Sequence, residues 1–222
     1  MTTLLERAQK LEKEVFLGGP LHLFETAGRI QLQILLKEGL YPDSKVLDIG
    51  CGCLRGGYWL IHFLDPDCYF GIEPDRRMLE AGKQSILEPG LMDLKRPRFD
   101  DNPDFDFSVF GERFDFFMAR SIWTHASKNQ IRTMLDGFIR HSKPEGAFLT
   151  SYKRASWLRR DDYQEAKWVG KSHESDLPGI VRHSFRWIER ECRKRGLFAE
   201  EKDEKTFRLG NQSWLKIGVR TT

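Results

Sequence analysis

The sequence predicts an α/β fold with a doubly wound, mostly parallel, seven-stranded sheet. Short apolar segments alternate with amphipathic segments of helical periodicity along most of the chain, and this alternation is typical of parallel strands joined by helices. Segment 46–49 is one such strand, and it runs into a glycine-dense turn before the next helix. The 222 residues, 40% of them hydrophobic, are enough for one sizeable core and too few for two ordinary domains.

Two helices are expected before the first strand, over residues 3–16 and 21–38. The second is expected to pack on the sheet, because leucines recur at helical spacing at Leu32, Leu35 and Leu36. The first has less apolar surface to bury. Residues 1–42 are therefore expected to act as a helical lid or as a contact in a homodimer, and the sequence leaves both alternatives open.

The predicted strands lie at 46–49, 68–72, 98–101, 114–119, 147–151, 197–201 and 214–219. Segment 114–119 is almost uninterruptedly apolar, which is typical of a central parallel strand. Ser127 is expected to cap the next helix. One face of that helix is expected to be core, with Ile131, Met134, Leu135, Phe138 and Ile139. Further helices are expected at 56–64, at 76–84 and from Ser184 to about residue 195.

Residues 152–183 contain no clear strand and are rich in tryptophan, glycine and charge. A stretch of this length is usually a functional cap or disordered, and its aromatic residues favour a cap, because disordered segments are poor in them. Its basic part, residues 153–160, permits two interpretations. It is a solvated helix face with Trp157 packed inward, or it recognises an acidic substrate, such as a phosphate, carboxylate or nucleotide sugar, through Trp157 and Arg159.

The glycine turn after the first strand indicates which kind of cofactor binds. Gly50 and Gly52 let a ligand approach the backbone closely, but the third glycine of a dinucleotide fingerprint would fall at Arg55, which disfavours NAD. Glu73 ends the second predicted strand, roughly 20 residues on, where a carboxylate accepts hydrogen bonds from a ribose. With the ribose held there, the N-terminus of the following helix needs to receive only a carboxylate and not a pyrophosphate. Asp48 either contacts the cofactor or hydrogen-bonds amides of the loop.

The chain resembles the class I S-adenosylmethionine (SAM) dependent methyltransferases in the blocks VLDIGCG (46–52), FGIEPD (70–75), RFDDN (98–102), FDFFMARSIWTH (114–125) and KPEGAFL (143–149). The blocks follow the family's order over roughly residues 25–220, and five in register are far more specific than any one alone. The resemblance implies a Rossmann-like fold, SAM as cofactor, S-adenosylhomocysteine (SAH) as product and no metal. It also implies a methyltransferase domain over 43–222, with a substrate-cap insert at about 152–183.

The resemblance further implies a cofactor site. The glycine turn would pack against the methionyl part of SAM, Glu73 would hold the ribose, and Asp101 or Asn102 would flank the adenine. Arg55 would either meet the methionyl carboxylate or point to solvent. The expected cofactor contacts are Asp48, Gly50, Cys51, Gly52, Arg55, Glu73, Pro74, Asp101, Asn102 and Ser121.

The chemistry of methyl transfer points to a candidate base. Transfer from a sulfonium is an in-line displacement whose leaving group needs no proton, so alignment contributes most, and a base is needed when a hydroxyl is the nucleophile. His125, in the loop after the fourth strand, is the candidate base; alternatively it caps the following helix or binds a backbone carbonyl. Arg29 and Trp123 are further candidates for contact with the substrate. The loop 119–123, which contains Trp123, is compatible with stacking a small ring or a sugar.

Composition and missing motifs disfavour several classes of partner. With 36 basic and 33 acidic side chains and a net charge of +3, the surface is mixed, and duplex nucleic acid is not expected. The fourth-strand loop lacks an Asn/Asp-Pro-Pro-Tyr/Phe block and a Pro-Cys pair, which disfavours methylation of nucleobase amines and of cytosine carbon. Four cysteines without a CxxC pair are expected to be free thiols, and no metal site is expected. A cytoplasmic protein without a membrane span is expected.

The expected activity is transfer of a methyl group from SAM to an oxygen, or less readily a nitrogen, of a small metabolite, natural product or sugar. The first alternative is a methyltransferase of a polymer, meaning a glycan end, a protein or an RNA. The second is a catalytically silent SAM-binding module.

Overall fold

The computed structural model describes residues 2–156, 167–170, 179–202 and 211–220. The chain forms two compact units, residues 1–102 and residues 103–222. The first unit contains helices α1 (Leu4–Leu11), α2 (Phe24–Lys37), α3 (Gly57–Phe63), α4 (Arg76–Ser85) and α5 (Leu91–Lys95), and strands β1 (Val46–Ile49), β2 (Tyr69–Ile72) and β3 (Arg98–Asp100). The second contains strands β4 (Phe114–Ala119), β5 (Ser142–Tyr152), β6 (Leu197–Lys202) and β7 (Ser213–Val219), and helices α6 (Lys128–His141) and α7 (Phe185–Arg193).

The strands form one seven-stranded sheet in the order β3-β2-β1-β4-β5-β7-β6. The pairs β1–β2, β2–β3 and β4–β5 are parallel, whereas β7 runs antiparallel to both β5 and β6. This confirms the predicted doubly wound, mostly parallel sheet. In such sheets ligands bind outside the carboxyl ends of the parallel strands.

The N-terminal helices belong to the first unit. Helix α1 begins with a capping box, in which the Thr3 hydroxyl accepts from the backbone of Glu6 and the Glu6 carboxylate accepts from that of Thr3. It buries three apolar residues in a cluster that also contains Phe24, Cys53 and Ile86. Arg7 donates to the Ile86 carbonyl at 2.5 Å and to Glu88 Oε1 at 2.6 Å. Residues 1–42 are therefore packed within this unit, and their predicted role as a lid stays a prediction.

In the second unit, aromatic side chains form the core between the strands and α6. Phe117 is fully buried and lies edge-on to Phe138, with ring centroids 5.0 Å apart. Ser127 caps α6 as predicted, in a capping box with Gln130. The prediction for Ile139 is wrong: this side chain is 40% exposed, because it lies at the margin of the apolar face.

The start of β5 also differs from the prediction. The sequence predicts this strand from residue 147, whereas β5 begins at Ser142. Its pairing with β4 shifts from Phe114↔Ser142 to Phe116↔Ala147. The four residues 143–146 therefore bulge opposite a single residue of β4. Among the described residues, no helix combines the length and apolar character that a membrane crossing requires.

Candidate functional site

The glycine turn after β1 has the backbone conformation that its sequence predicts. Gly50 and Gly52 have positive φ angles of 71° and 57°, which favour glycine. The amides of Gly50 and Cys51 both donate to the carbonyl of Ile72, at 2.8 and 3.1 Å. The turn is thereby tied to the carboxyl end of β2.

Glu73 directly follows β2 and bonds to the same turn. Its Oε2 accepts from the amide of Gly52 at 2.9 Å, and its Oε1 accepts from the amide of Asp75 at 3.0 Å. These two bonds hold the carboxylate in one orientation. Pro74, which lies between Glu73 and Asp75 in the sequence, is half-buried.

Asp48 lies beneath the turn. Its side chain is 2% exposed, and its Oδ2 accepts from the Tyr69 hydroxyl at 2.8 Å. Burial raises the pKa of Asp48 to about 7, the charge of Glu73 adds to the rise, and the bond from Tyr69 opposes it. The observed partner of Asp48 is therefore the side chain of Tyr69 and not the loop amides, and the predicted contact of Asp48 with the cofactor stays a prediction.

Arg55 is partly buried and does not point to solvent. A Cβ atom on Gly19 would lie 3.0 Å from its Nη1, and one on Gly18 would lie 3.6 Å from its Nη2, so the guanidinium packs on this glycine pair. Burial lowers the pKa of Arg55. None of the hydrogen bonds or ion pairs among the described residues involves this guanidinium. Of its two predicted fates, exposure to solvent is wrong.

Helix α2 packs directly on the end of the glycine turn through a side chain that the sequence analysis missed. Gln31 is 5% exposed, its Nε2 donates to the Ala27 carbonyl, and a Cβ on Gly56 would lie 2.5 Å from its Oε1. A lone glutamine on the buried face of an amphipathic helix is the signal that could have revealed it. Arg29, a predicted substrate contact, is exposed and lies 5.8 Å above the ring of Trp59.

Two polar loop residues, Asp101 and Asn102, follow β3 at the edge of the sheet. Asp101 forms an ion pair with Arg76. Asn102 donates twice to Asp100 Oδ1, from its amide at 2.9 Å and from Nδ2 at 2.7 Å. A cavity of about 380 Å³ lies here, lined by Arg76, Leu79, Glu80, Lys83, Phe99, Asp100 and Asp101. Asp101, expected beside the adenine, is thus part of a pocket wall.

In the second unit, a polar network lies at the carboxyl ends of β4 and β5. The Ser121 amide donates to Ser151 Oγ at 2.7 Å, and Ser151 Oγ donates to Gln212 Oε1 at 2.6 Å. Gln212 Nε2 in turn donates to Ser121 Oγ at 2.8 Å. Ser121 has a φ of 63°, which is unusual for a residue with a side chain. Ser151 and Gln212 were not among the predicted site residues.

His125 is half-buried against the segment 167–170. Its ring stacks on Trp168 at 5.5 Å, and a Cβ on Gly170 would lie 2.5 Å from its Nδ1. Nδ1 is buried without a hydrogen bond of good geometry. Burial lowers the pKa of His125, and the carbonyls of Val169 and Gly179 oppose the shift. The alternative that His125 caps α6 is wrong, because Ser127 does so.

Of the other substrate-contact candidates Trp123, Trp157 and Arg159, the structure describes only Trp123. Trp123 is fully buried and lies edge-on to Phe148 at 5.8 Å, so it belongs to the core. Trp157 and Arg159 lie outside the described residues. Arg154, from the same basic stretch, forms an ion pair with Glu201 at 2.6 Å.

All four cysteines are buried free thiols, as predicted. Burial raises the pKa of Cys53 to about 11 and that of Cys192 to about 12, and it also raises the pKa values of Cys51 and Cys68. They are therefore protonated at neutral pH and poor nucleophiles. Within the described ranges, no group of three or more histidine, cysteine, aspartate or glutamate side chains is arranged to hold a metal ion.

Comparison with solved structures identifies the fold. No family model and no curated protein matches the chain. The glycopeptide N-methyltransferase MtfA is 13% identical, with a TM-score of 0.64 over 87% of this chain and 90% of MtfA. Magnesium protoporphyrin IX methyltransferase (ChlM) from Synechocystis PCC 6803, with bound SAH, is 13% identical, with a TM-score of 0.63 over 97% of this chain and 94% of ChlM. The DhpI–SAH complex is 14% identical, with a TM-score of 0.61 over 98% and 94%.

This chain therefore has the fold of the class I SAM-dependent methyltransferases, as the resemblance of its sequence blocks predicted.

Proposed function

We propose that this protein is a SAM-dependent methyltransferase that modifies an oxygen, or less readily a nitrogen, of a small metabolite, natural product or sugar. The observation that carries the proposal is the bond from the Gly52 amide to Glu73. It joins the glycine turn to an acid at ribose-binding distance along the chain. Support for a small acceptor comes from the structural neighbours, whose names describe methylation of a glycopeptide and of magnesium protoporphyrin IX.

Each part of SAM has a proposed partner in the first unit. Glu73 receives the ribose hydroxyls, and the glycine turn with Cys51 receives the methionyl chain. Arg55 supplies the positive charge for the methionyl carboxylate, because its partly buried guanidinium has no acidic partner in the described part of the chain and an incoming anion stabilises such a cation. Asp101 and Asn102 flank the adenine.

In the second unit, His125 is the proposed base. Its lowered pKa keeps the imidazole neutral at pH 7, so it can accept a proton from an acceptor hydroxyl. Since Nδ1 is enclosed beneath Gly170, Nε2 is the nitrogen assigned to this role. SAM, when bound, supplies the electrophilic methyl group, and the residues of the chain hold the reactants in line.

The test is incubation with methyl-labelled SAM and a cell extract of the source organism, followed by separation through a size-cutoff membrane. Glu73→Gln keeps the size of the side chain and removes its charge, and Glu145→Ala, at an exposed position in the β5 bulge, is the matched control. Label that passes the membrane, at wild-type level in the control and strongly reduced in Glu73→Gln, supports the proposal.

Other outcomes assign the protein elsewhere. Label found only in the retained fraction indicates a polymer acceptor. SAM binding without label in either fraction indicates a silent SAM-binding module. Absence of SAM binding by the wild-type protein would contradict all three functions.

A further inference from the structure

The network of Ser121, Ser151 and Gln212 has hydrogen-bond donors that the protein does not use fully. Ser151 Oγ both accepts, from the Ser121 amide, and donates, to Gln212 Oε1, so it is satisfied. Gln212 Nε2 gives one hydrogen to Ser121 Oγ, and none of the described residues accepts its second. The Ser121 hydroxyl lies 3.2 Å from Gln212 Oε1, which is long for an O–H···O bond.

The two underused donors are accessible to a ligand. Ser121 and Gln212 are half-buried, whereas Ser151 is 1% exposed. The buried serine therefore fixes the orientation of the glutamine amide, and the underused N–H and O–H groups belong to the two partly exposed side chains. Because both groups donate, the complementary group on a ligand is an oxygen with free lone pairs.

The backbone at Ser121 is held in a strained conformation at this place. Ser121 has a φ of 63°, and such left-handed residues with side chains persist where the surroundings determine them, often at functional sites. Two bonds hold it here: its amide donates to Ser151 Oγ, and its carbonyl accepts from Thr124 Oγ1 at 2.7 Å. Ser121 follows β4, and Ser151 is near the end of β5, which is the edge where ligands bind in such sheets.

We propose that Gln212 and Ser121, oriented by Ser151, form a subsite that binds an oxygen atom of the methyl acceptor, such as a carbonyl, carboxylate or hydroxyl oxygen. This inference rests on the proposed methyltransferase function. Gln212 and Ser121 contact the acceptor, and Ser151 is a positioning residue. The subsite selects acceptors that carry an oxygen at a fixed distance from the methylated atom.

The experiment compares Gln212→Leu and Gln212→Glu with the wild-type protein. Both variants remove the outward N–H, and Gln212→Glu keeps an oxygen that accepts from Ser151. Gln84→Leu, at an exposed position on α4, is the matched control. Each protein is saturated with SAH, and its melting temperature is measured with and without the two size fractions of the cell extract. The Kd for SAH is measured by calorimetry, and the KM for the acceptor is measured once labelling has identified it.

We expect an extract fraction to stabilise the wild-type and Gln84→Leu proteins but neither Gln212 variant. The Kd for SAH stays within about twofold of wild type, and the KM for the acceptor rises about tenfold or more, the effect of one lost hydrogen bond to a fixed group. Loss of stabilisation in the variants together with failure of the wild-type protein to transfer label would support the subsite and contradict the proposed function.

Three results would overturn the subsite. In the first, the Gln212 variants melt at lower temperature while the extract effect and KM stay at wild-type values, which indicates a purely structural role. In the second, the Kd for SAH weakens about tenfold, which assigns Gln212 to the cofactor. In the third, neither extract fraction stabilises the wild-type protein in the presence of SAH.

Discussion

The two charged side chains at the glycine turn, Arg55 and Glu73, differ in how the protein satisfies them. Glu73 accepts two backbone hydrogen bonds and is fixed before any ligand arrives. The Arg55 guanidinium packs on Gly18 and Gly19, and burial lowers its pKa. The Glu73 carboxylate is therefore already oriented, whereas none of the described acidic side chains pairs with the Arg55 guanidinium.

Removing the Arg55 charge should weaken SAM binding selectively. We expect Arg55→Met to raise the Kd for SAM about 10- to 100-fold, the range of a charge-assisted hydrogen bond, while the Kd for adenosine, which lacks the carboxylate, stays unchanged. Calorimetry with both ligands measures this, and Arg186→Met, at an exposed position on α7, is the control. Equal loss of affinity for SAM and adenosine would show that Arg55 only shapes the turn.

At His125, the lowered pKa determines the expected pH dependence. The neutral ring is present above a pKa that lies below the ordinary 6.5, so kcat/KM should rise with pH below 6.5 and be level at neutral pH. We expect His125→Ala to lower kcat by about 10²–10⁴ at pH 7. Steady-state rates on the labelled acceptor measure both effects, and a loss below about threefold would remove His125 from the chemistry.

The carboxyl group of Asp48 should make the free energy of unfolding fall as the pH rises, whereas most acids in folded proteins make it rise. Burial raises its pKa from 3.8 to about 7. In the pH window between these two values, the folded state therefore binds a proton that the unfolded chain has released. Stability therefore falls as the pH rises through the window. Asp48→Asn keeps an acceptor for Tyr69 and should remove this slope, measured by urea unfolding near pH 5 and pH 8. A slope equal to that of the wild-type protein would contradict the assignment.

At the scale of elements, the aromatic core around β4, β5 and α6 shows where sequence patterns succeed. The apolar run of β4 and the face of α6 predicted their burial, and Phe117 and Phe138 are fully buried. Ile139 is also apolar and lies next to the same face of α6, but its side chain is exposed. Periodicity in the sequence does not define where the buried face of a helix ends.

The different burial of Phe117 and Ile139 has a measurable consequence. We expect Phe117→Ala to lower the free energy of unfolding by about 3–5 kcal/mol, because it leaves a cavity in a closely packed cluster. Ile139→Ala should change it by less than about 0.5–1 kcal/mol, as is usual for exposed positions. Urea unfolding of the two variants tests this, and similar losses in both would contradict the assigned burial.

The start of β5 could not be predicted because its residues also suit a turn. Proline and glycine at Pro144 and Gly146 punctuate turns, yet here they lie within a bulge that pairs with β4 on both sides. A Cβ on Gly146 would approach Ser142 Oγ to 2.5 Å, which explains the glycine. Only the register with β4 reveals this.

For the whole molecule, the fold was predictable from short blocks although overall identity to the structural neighbours is only 11–14%. The proximity of Glu73 to the glycine turn was predictable as well, because one strand–helix–strand unit sets the spacing of the turn and the acid. Ser151 and Gln212 were not, because 61 residues separate them and antiparallel pairing of β5 with β7 brings them together. Such long-range pairing leaves no local pattern.

A cofactor that binds only the folded chain should raise the free energy of unfolding of the protein. We expect SAH at about 100 times its Kd to add about 2.7 kcal/mol to the free energy of unfolding, measured by urea unfolding with and without SAH. Glu73→Gln at the same SAH concentration should gain far less, because its affinity is lower. Stabilisation of equal size in this variant would place the nucleoside elsewhere.

The enclosure of every native thiol has a practical consequence for labelling. Since all four cysteines are buried and their pKa values are raised, a maleimide reagent at neutral pH should leave the native chain unmodified. A single cysteine introduced at an exposed position, such as Gln84→Cys on α4, would then carry the only fluorophore. The protein is thus suited to single-site spectroscopic probes without prior removal of its own cysteines.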